Sequence, residues 1–223
     1  MIMIGNNLLK KIKYKTIYDI SITIGKESLN YPGDPKFKKT DYYNINKGDQ
    51  FNLSSINMSC HCGTHIDIPL HFFNNRNAID SITLDNFILK SRVYSILNTE
   101  KINYKIIKNI KIKKNEAVLF KTDNSIKNIY IKKKVQNKYV YITTDACKFL
   151  IDKGIKLIGI DYISVDNYND NEYTIHKELL MKNIFILENI NLKNINEGKY
   201  TLICLPLKIN NGEASPVRAV LLK

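Results

Sequence analysis

The chain has 223 residues, with 34 lysines and arginines against 21 aspartates and glutamates, for a net charge of +13. That length suits one domain with a substantial core, and no linker or internal repeat interrupts it. No run approaches the ~20 apolar residues of a membrane span. The start, Met1-Ile-Met-Ile-Gly-Asn-Asn-Leu-Leu-Lys-Lys, is apolar before it is basic, the reverse of a signal peptide, so a cytoplasmic protein is expected.

In chain order, residues 17–24 alternate as a strand, Tyr31 to Pro35 form a turn loop, and residues 54–68 read as extended. A short helix is predicted over 81–89, with apolar strands at 92–97 and 117–121. Thr143 or Thr144 caps a helix that Gly154 closes before a strand at 156–160, and a helix leading straight into an apolar strand signals an α/β fold. A second helix over 174–182 carries His176, and a strand at 184–187 delivers Glu188. The last strands are placed at 202–207 and 217–222.

The segment His61-Cys-Gly-Thr-His65-Ile-Asp67-Ile-Pro-Leu-His71 holds three of the four histidines and a carboxylate within eleven residues. Gly63, three β-branched residues and Pro69 disfavour a helix here. In an extended chain alternate side chains share a face, so 61, 65, 67 and 71 project one way while Cys60 and Cys62 project the other. Gly63, lacking a side chain, leaves room between the two imidazoles for an ion. A lone strand histidine is ordinarily a satisfied core or surface residue, but this clustering points to a metal, and imidazole with carboxylate suits zinc, manganese or iron. His176 and Glu188 lie far downstream, and on spacing alone Asp166 and Glu172 are equally available carboxylates.

The pattern His-x-Gly-Thr-His-x-Asp-x-Pro-x-His resembles the signature of the metal-dependent cyclase-like hydrolases, the family of bacterial kynurenine formamidases and isatin hydrolases. Tyr31-Pro-Gly-Asp-Pro35, Gly159-Ile-Asp-Tyr-Ile-Ser-Val-Asp166, Leu205-Pro-Leu-Lys-Ile209 and Ser215-Pro-Val-Arg218 resemble further segments of that family in the right order, across residues 17 to 222. The resemblance implies a layered β/β/α, swivelling-type single α/β domain with a mixed sheet over 17–223, preceded by an extension at 1–16. By the same resemblance His61, His65 and Asp67 match ligands of a first metal. Asp67 and Glu188 match carboxylates that bridge two ions, His176 matches a ligand of the second, and His71 matches the catalytic acid/base. The cofactor implied is Zn2+ or Mn2+, two per subunit.

Tyr31 stands where the formamidases typically place a tryptophan that stacks on the aromatic substrate, and this chain has no tryptophan; tyrosine offers a smaller stacking face and a hydroxyl. The implied reaction is hydrolysis of an aryl formamide such as N-formylkynurenine, which would place the enzyme in tryptophan catabolism. A cyclic amide such as isatin is the alternative substrate, and a non-catalytic basic binding protein is the reading from another class. The resemblance also implies a homodimer or higher homo-oligomer acting on a small molecule.

Ser164 and Asp166 read equally well as a turn with side-chain bonding to the backbone, and Arg218 as a structural partner to a carboxylate. Four cysteines, Cys60, Cys62, Cys147 and Cys204, show neither CxxC nor a disulfide framework and are expected to stay reduced. The excess charge is almost all lysine, dispersed rather than clustered with arginine and aromatics. Solvated surface is therefore expected in place of specific nucleic-acid binding.

Overall fold

The computed structural model describes residues 14–27, 30–132 and 134–223. Most of the expected N-terminal extension, residues 1–13, lies outside the described residues. In chain order the strands are β1 (Ile17–Asp19), β2 (Lys38–Tyr43), β3 (Leu53–Asn57), β4 (His65–Asp67), β5 (Ile88–Ile96), β6 (Lys101–Ile102), β7 (Ala117–Thr122), β8 (Tyr141–Ile142), β9 (Leu157–Ile160), β10 (Phe185–Glu188), β11 (Gly198–Ile203), β12 (Ala214–Pro216) and β13 (Val220–Leu222). The helices are α1 (Tyr104–Ile107), α2 (Asp123–Ile126), α3 (Thr144–Asp152) and α4 (Thr174–Met181).

Nine strands form one mixed sheet in the order β1-β13-β11-β5-β7-β9-β10-β4-β12, in which β5, β7, β9 and β10 run parallel and the flanking pairs are antiparallel. Alternation along the strands splits the core in two. Leu119, Leu157 and Leu187 face one cluster drawn from strands and from the loops and 3₁₀ turns that join them, including Ile20, Ile66, Phe87, Val93, Leu192 and Leu202; no α-helix contributes, so the curled sheet packs on itself and its own connections. Val118, Phe120, Ile158 and Ile186 face the other, where Ala146, Cys147 and Leu150 of α3 and Ile175, Leu179 and Leu180 of α4 cover the sheet. The expected mixed α/β single domain with a β/β/α layering is therefore present.

Several element boundaries shift. The first strand stops at Asp19, the residues predicted as a helix over 81–89 form two 3₁₀ turns (Ile79–Ser81 and Leu84–Phe87) before β5 begins, and the strand predicted at 202–207 runs instead from Gly198 to Ile203. Thr143 is the N-cap of α3, but its hydroxyl donates to the Ile102 carbonyl at 3.0 Å and no helix N–H reaches it. Gly154 closes α3 in the left-handed region, as read. β2 and β3 form a separate hairpin; β2 lies between the turn loop expected at Tyr31 to Pro35 and the extended run expected from 54, where the sequence marks no element. Arg218 pairs with Asp19 at 2.9 Å, on the surface.

Candidate metal centre and active-site pocket

The central residue is Asp67, fully buried on β4. β4 lies between β10 and β12, with His65 directly opposite Glu188 and Asp67 opposite Ala214. Directly opposed residues share a face of the sheet, so the pairing register alone brings His65 and Glu188 together. Glu188 ends β10 at the carboxyl end of the parallel block, the usual place for a ligand site in an α/β sheet. His176 arrives on the first turn of α4.

His61 does not sit on the strand. The uninterrupted extended run expected over 54–68 is broken: residues 60–63 form a turn in which Gly63 adopts φ +69°, and His71 ends a 3₁₀ turn begun by Pro69. The convergence of 61, 65, 67 and 71 therefore comes from a turn, a three-residue strand and a 3₁₀ turn, and Gly63 serves the turn conformation instead of simply opening space. Thr64 fixes the segment from within: its hydroxyl donates to the Asn189 carbonyl at 2.6 Å and accepts the Ile22 N–H at 2.9 Å. Cys62 is buried, and Cys60 is half-buried beside Glu213.

The ligand atoms fall into two groups, His61 with His65 and Asp67, and Asp67 with His176 and Glu188, each drawn from atoms within 4.8 Å of one another. His65 Nε2 lies 3.5 Å from both Asp67 and Glu188, and His176 Nε2 lies 3.5 Å from Asp67 and 3.3 Å from Glu188. His61 Nδ1 is 2.8 Å from Asp67 Oδ1. Even so, neither buried oxygen of Asp67 makes a hydrogen bond of acceptable geometry. A buried carboxylate with orphaned oxygens is costly unless a cation or donor satisfies it. The orphaned oxygens and the imidazole-carboxylate donor set both fit a divalent ion.

The second nitrogen of each candidate ligand is committed outward. His65 Nδ1 contacts the Gly63 carbonyl at 2.9 Å, His176 Nδ1 pairs with the Asp166 carboxylate, and His61 Nε2 lies 3.6 Å from Glu213. Holding one ring nitrogen with an acceptor fixes the tautomer and aims the other at the metal. Asp166, left out of the site in the sequence reading, thus belongs to it, and its Gly159–Asp166 motif was the available signal. Glu213 carried no such signal. Of the alternatives to Glu188, Asp166 backs His176 instead of facing the centre, and Glu172 is exposed.

His71 differs from the other three histidines. Neither of its ring nitrogens has a hydrogen-bond partner among the described residues, and its ring lies 4.2 Å from that of His61 and 4.4 Å from Phe72. Burial, with the neighbouring imidazoles adding to it, lowers its pKa to about 4. His61 moves the other way, to about 10, because Asp67 and Glu213 outweigh its burial. Burial opposes the charge on Asp67, but His61 and His65 hold its carboxyl well below the ordinary range. The two shifts have different causes: the carboxylates Asp67 and Glu213 raise His61, whereas at His71 burial and the neighbouring imidazoles outweigh Asp67.

A pocket of about 300 Å³ opens onto this cluster. Tyr31, the expected substrate contact, lines it together with Phe72, Tyr173, Ile163, Ser164 and Asp34. Sequence reasoning missed Phe72 and Tyr173; Phe72 directly follows His71 and was available, whereas nothing in the sequence marked Tyr173.

The Cyclase family profile matches residues 18–167. A kynurenine formamidase of Bacillus cereus is 32% identical over 91% of this chain and 95% of its own length. The chain belongs to the Cyclase family. Among solved structures, a potential metal-dependent hydrolase with cyclase activity is 27% identical, covers 93% of this chain and 98% of its own, and superposes with a TM-score of 0.79. Isatin hydrolase A of Labrenzia aggregata, 22% identical over 93% of both chains with a TM-score of 0.79, shares the Cyclase fold.

Proposed function

We propose that this Cyclase-family chain is a metal-dependent amidohydrolase that cleaves the C–N bond of an aryl formamide such as N-formylkynurenine. The observation that carries the reading is His71, the one imidazole of four with both nitrogens uncommitted among the described residues, placed between the ligand cluster and an aromatic-walled pocket. Similarity to kynurenine formamidases supports the substrate.

His61, His65 and Asp67 would hold one ion, and Asp67, Glu188 and His176 a second, with zinc or manganese suited to these donors. A divalent ion there supplies Lewis acidity, which lowers the pKa of a water ligand and polarises a carbonyl. The remaining steps belong to the protein. With its pKa near 4, His71 is neutral at pH 7, and nearby cationic charge pushes it the same way. It is therefore able to accept a proton as water adds to the formyl carbon. Protonated His71 then passes that proton to the nitrogen as the C–N bond breaks, leaving the aryl amine and formic acid, which loses its remaining proton to solvent as formate. Tyr31 and Phe72 line the pocket and offer aromatic surface to the aryl group.

Residues 17–223 are taken as one catalytic domain. The four cysteines remain thiols, which suits a reducing, cytoplasmic setting, and among the described residues no helix is long and apolar enough to cross a membrane. A homodimer is supported by the β2–β3 hairpin, whose Tyr42, Tyr43, Phe51, Leu53 and Ile56 are exposed. A lone two-stranded hairpin is marginal in water, and clustered apolar surface of this kind marks an interface.

The test is hydrolysis of N-formylkynurenine by zinc- or manganese-loaded protein alongside His71→Ala. The variant should retain bound metal, measured by elemental analysis, and lose about 10²- to 10⁴-fold in kcat. Loss of metal from His71→Ala would make His71 a ligand and refute the assignment. Turnover of isatin with none of the formamide would favour the cyclic-amide alternative.

A further inference from the structure

Eight non-glycine residues among those described have positive φ, and seven of them are asparagines: 75, 98, 115, 128, 183, 189 and 211. Asparagine tolerates the left-handed region because its short side chain bonds locally, whereas a bulky residue there is strained. The eighth is Tyr173, at φ 53° and ψ 48°. Among the described residues this asparagine-rich chain thus fills every left-handed non-glycine position with its best-suited residue except one, and that one lines the catalytic pocket.

The ring contacts say what the exception gains. Phe72 packs 4.4 Å from His71 and 5.5 Å from His176, which fixes it beside the reacting centre. Tyr173 continues outward from Phe72, with ring centroids 5.5 Å apart and planes inclined by 47°. Tyr173 is still about one-third exposed, so part of its ring is available to a ligand. His71, Phe72 and Tyr173 therefore form an arc of rings around His176, with centroids 6.1, 5.5 and 6.5 Å from it, that ends at the partly exposed ring of Tyr173. A nitrogen substituent laid along that arc meets Phe72 and then Tyr173.

We propose that Tyr173 is a specificity-determining residue, kept in a strained backbone conformation so that its ring, beside that of Phe72, forms an aromatic wall against a planar aromatic substituent on the scissile nitrogen. The proposal rests on the hydrolase reading for the position of the carbonyl and goes beyond it in assigning the aryl selection to a residue outside the expected site.

The experiment compares formanilide with N-butylformamide as substrates for metal-loaded wild type, Tyr173→Asn and Tyr173→Phe. Asparagine relieves the backbone, so Tyr173→Asn should melt about 2–4 °C higher. It should also lose about 2- to 12-fold in the aryl-over-alkyl ratio of kcat/KM, through KM, as expected for a lost aromatic contact. Tyr173→Phe should keep the ratio. A higher Tm with an unchanged ratio, or a lower Tm in Tyr173→Asn, would overturn the proposal. If wild type hydrolyses neither these formamides nor N-formylkynurenine, the formamidase reading fails by itself. Calorimetric titration with acetanilide then decides the role of Tyr173: weaker binding to Tyr173→Asn, with Tyr173→Phe unchanged, supports it, and equal binding to all three overturns it.

Discussion

Replacing Asp166 with asparagine should weaken one metal ion while sparing most of the fold. The Asp166 carboxylate is buried; Oδ1 accepts the Ile175 N–H at 2.6 Å, and Oδ2 accepts the His176 N–H at 3.3 Å and pairs with His176 Nδ1. An asparagine that keeps the Ile175 bond must turn its NH2 towards His176. That NH2 opposes the His176 backbone N–H, and it suits Nδ1 only if the ring proton moves to Nε2, the nitrogen facing Asp67 and Glu188. A protonated Nε2 is unable to ligate. The expected loss is thus that of an outer-shell partner, about 10- to 100-fold in affinity, or about 1.4–2.7 kcal/mol. The unpaired buried N–H costs stability by about 1–3 kcal/mol. Competition with a chromophoric zinc chelator measures the affinity, and circular dichroism checks the fold. A folded Asp166→Asn that binds zinc with wild-type affinity would refute the reasoning.

Two further outcomes test the packing and the assembly. A Cβ on Gly159 would lie 2.3 Å from Leu119 Cδ2 and 3.0 Å from Ile190 Cδ1, so Gly159→Ala should cost about 1–3 kcal/mol by overpacking. Leu119→Ala alone should cost about 2–5 kcal/mol, and because it vacates that space the double variant should be more stable than the sum of the two losses in chemical denaturation; strict additivity would contradict the contact. Sedimentation equilibrium should find wild type dimeric and Tyr42→Glu with Ile56→Lys monomeric, whereas a monomeric wild type would show that the exposed hairpin has no second copy to cover it.

The chemistry was legible in the sequence because ligand types clustered: His61, His65, Asp67 and His71 stand within one short segment, and the structure brings His176 and Glu188 to the same centre. Parity reasoning succeeded for His65 and Asp67, which occupy β4, and failed for His61 and His71, because a positive φ at Gly63 and the 3₁₀ turn at Pro69 take the flanking residues off the strand. The parallel strands β7, β9 and β10 were readable as apolar runs buried on both faces. The helix read over 81–89 failed because two isolated 3₁₀ turns share a helix's local spacing without its length. The outer partners were hidden for a different reason: Glu213 reaches His61 only because β12 pairs with β4, a long-range register that no local pattern encodes. Tyr173 was invisible because its distinguishing feature is a backbone angle.

The most direct test of the central claim is release of formate from N-formylkynurenine by the purified chain, measured before and after chelation and again after zinc or manganese is restored. The account requires formate and aryl amine in equal amounts, abolished by the chelator and recovered with metal. Formate release unaffected by complete removal of metal, or no release from fully loaded and folded protein, would contradict it.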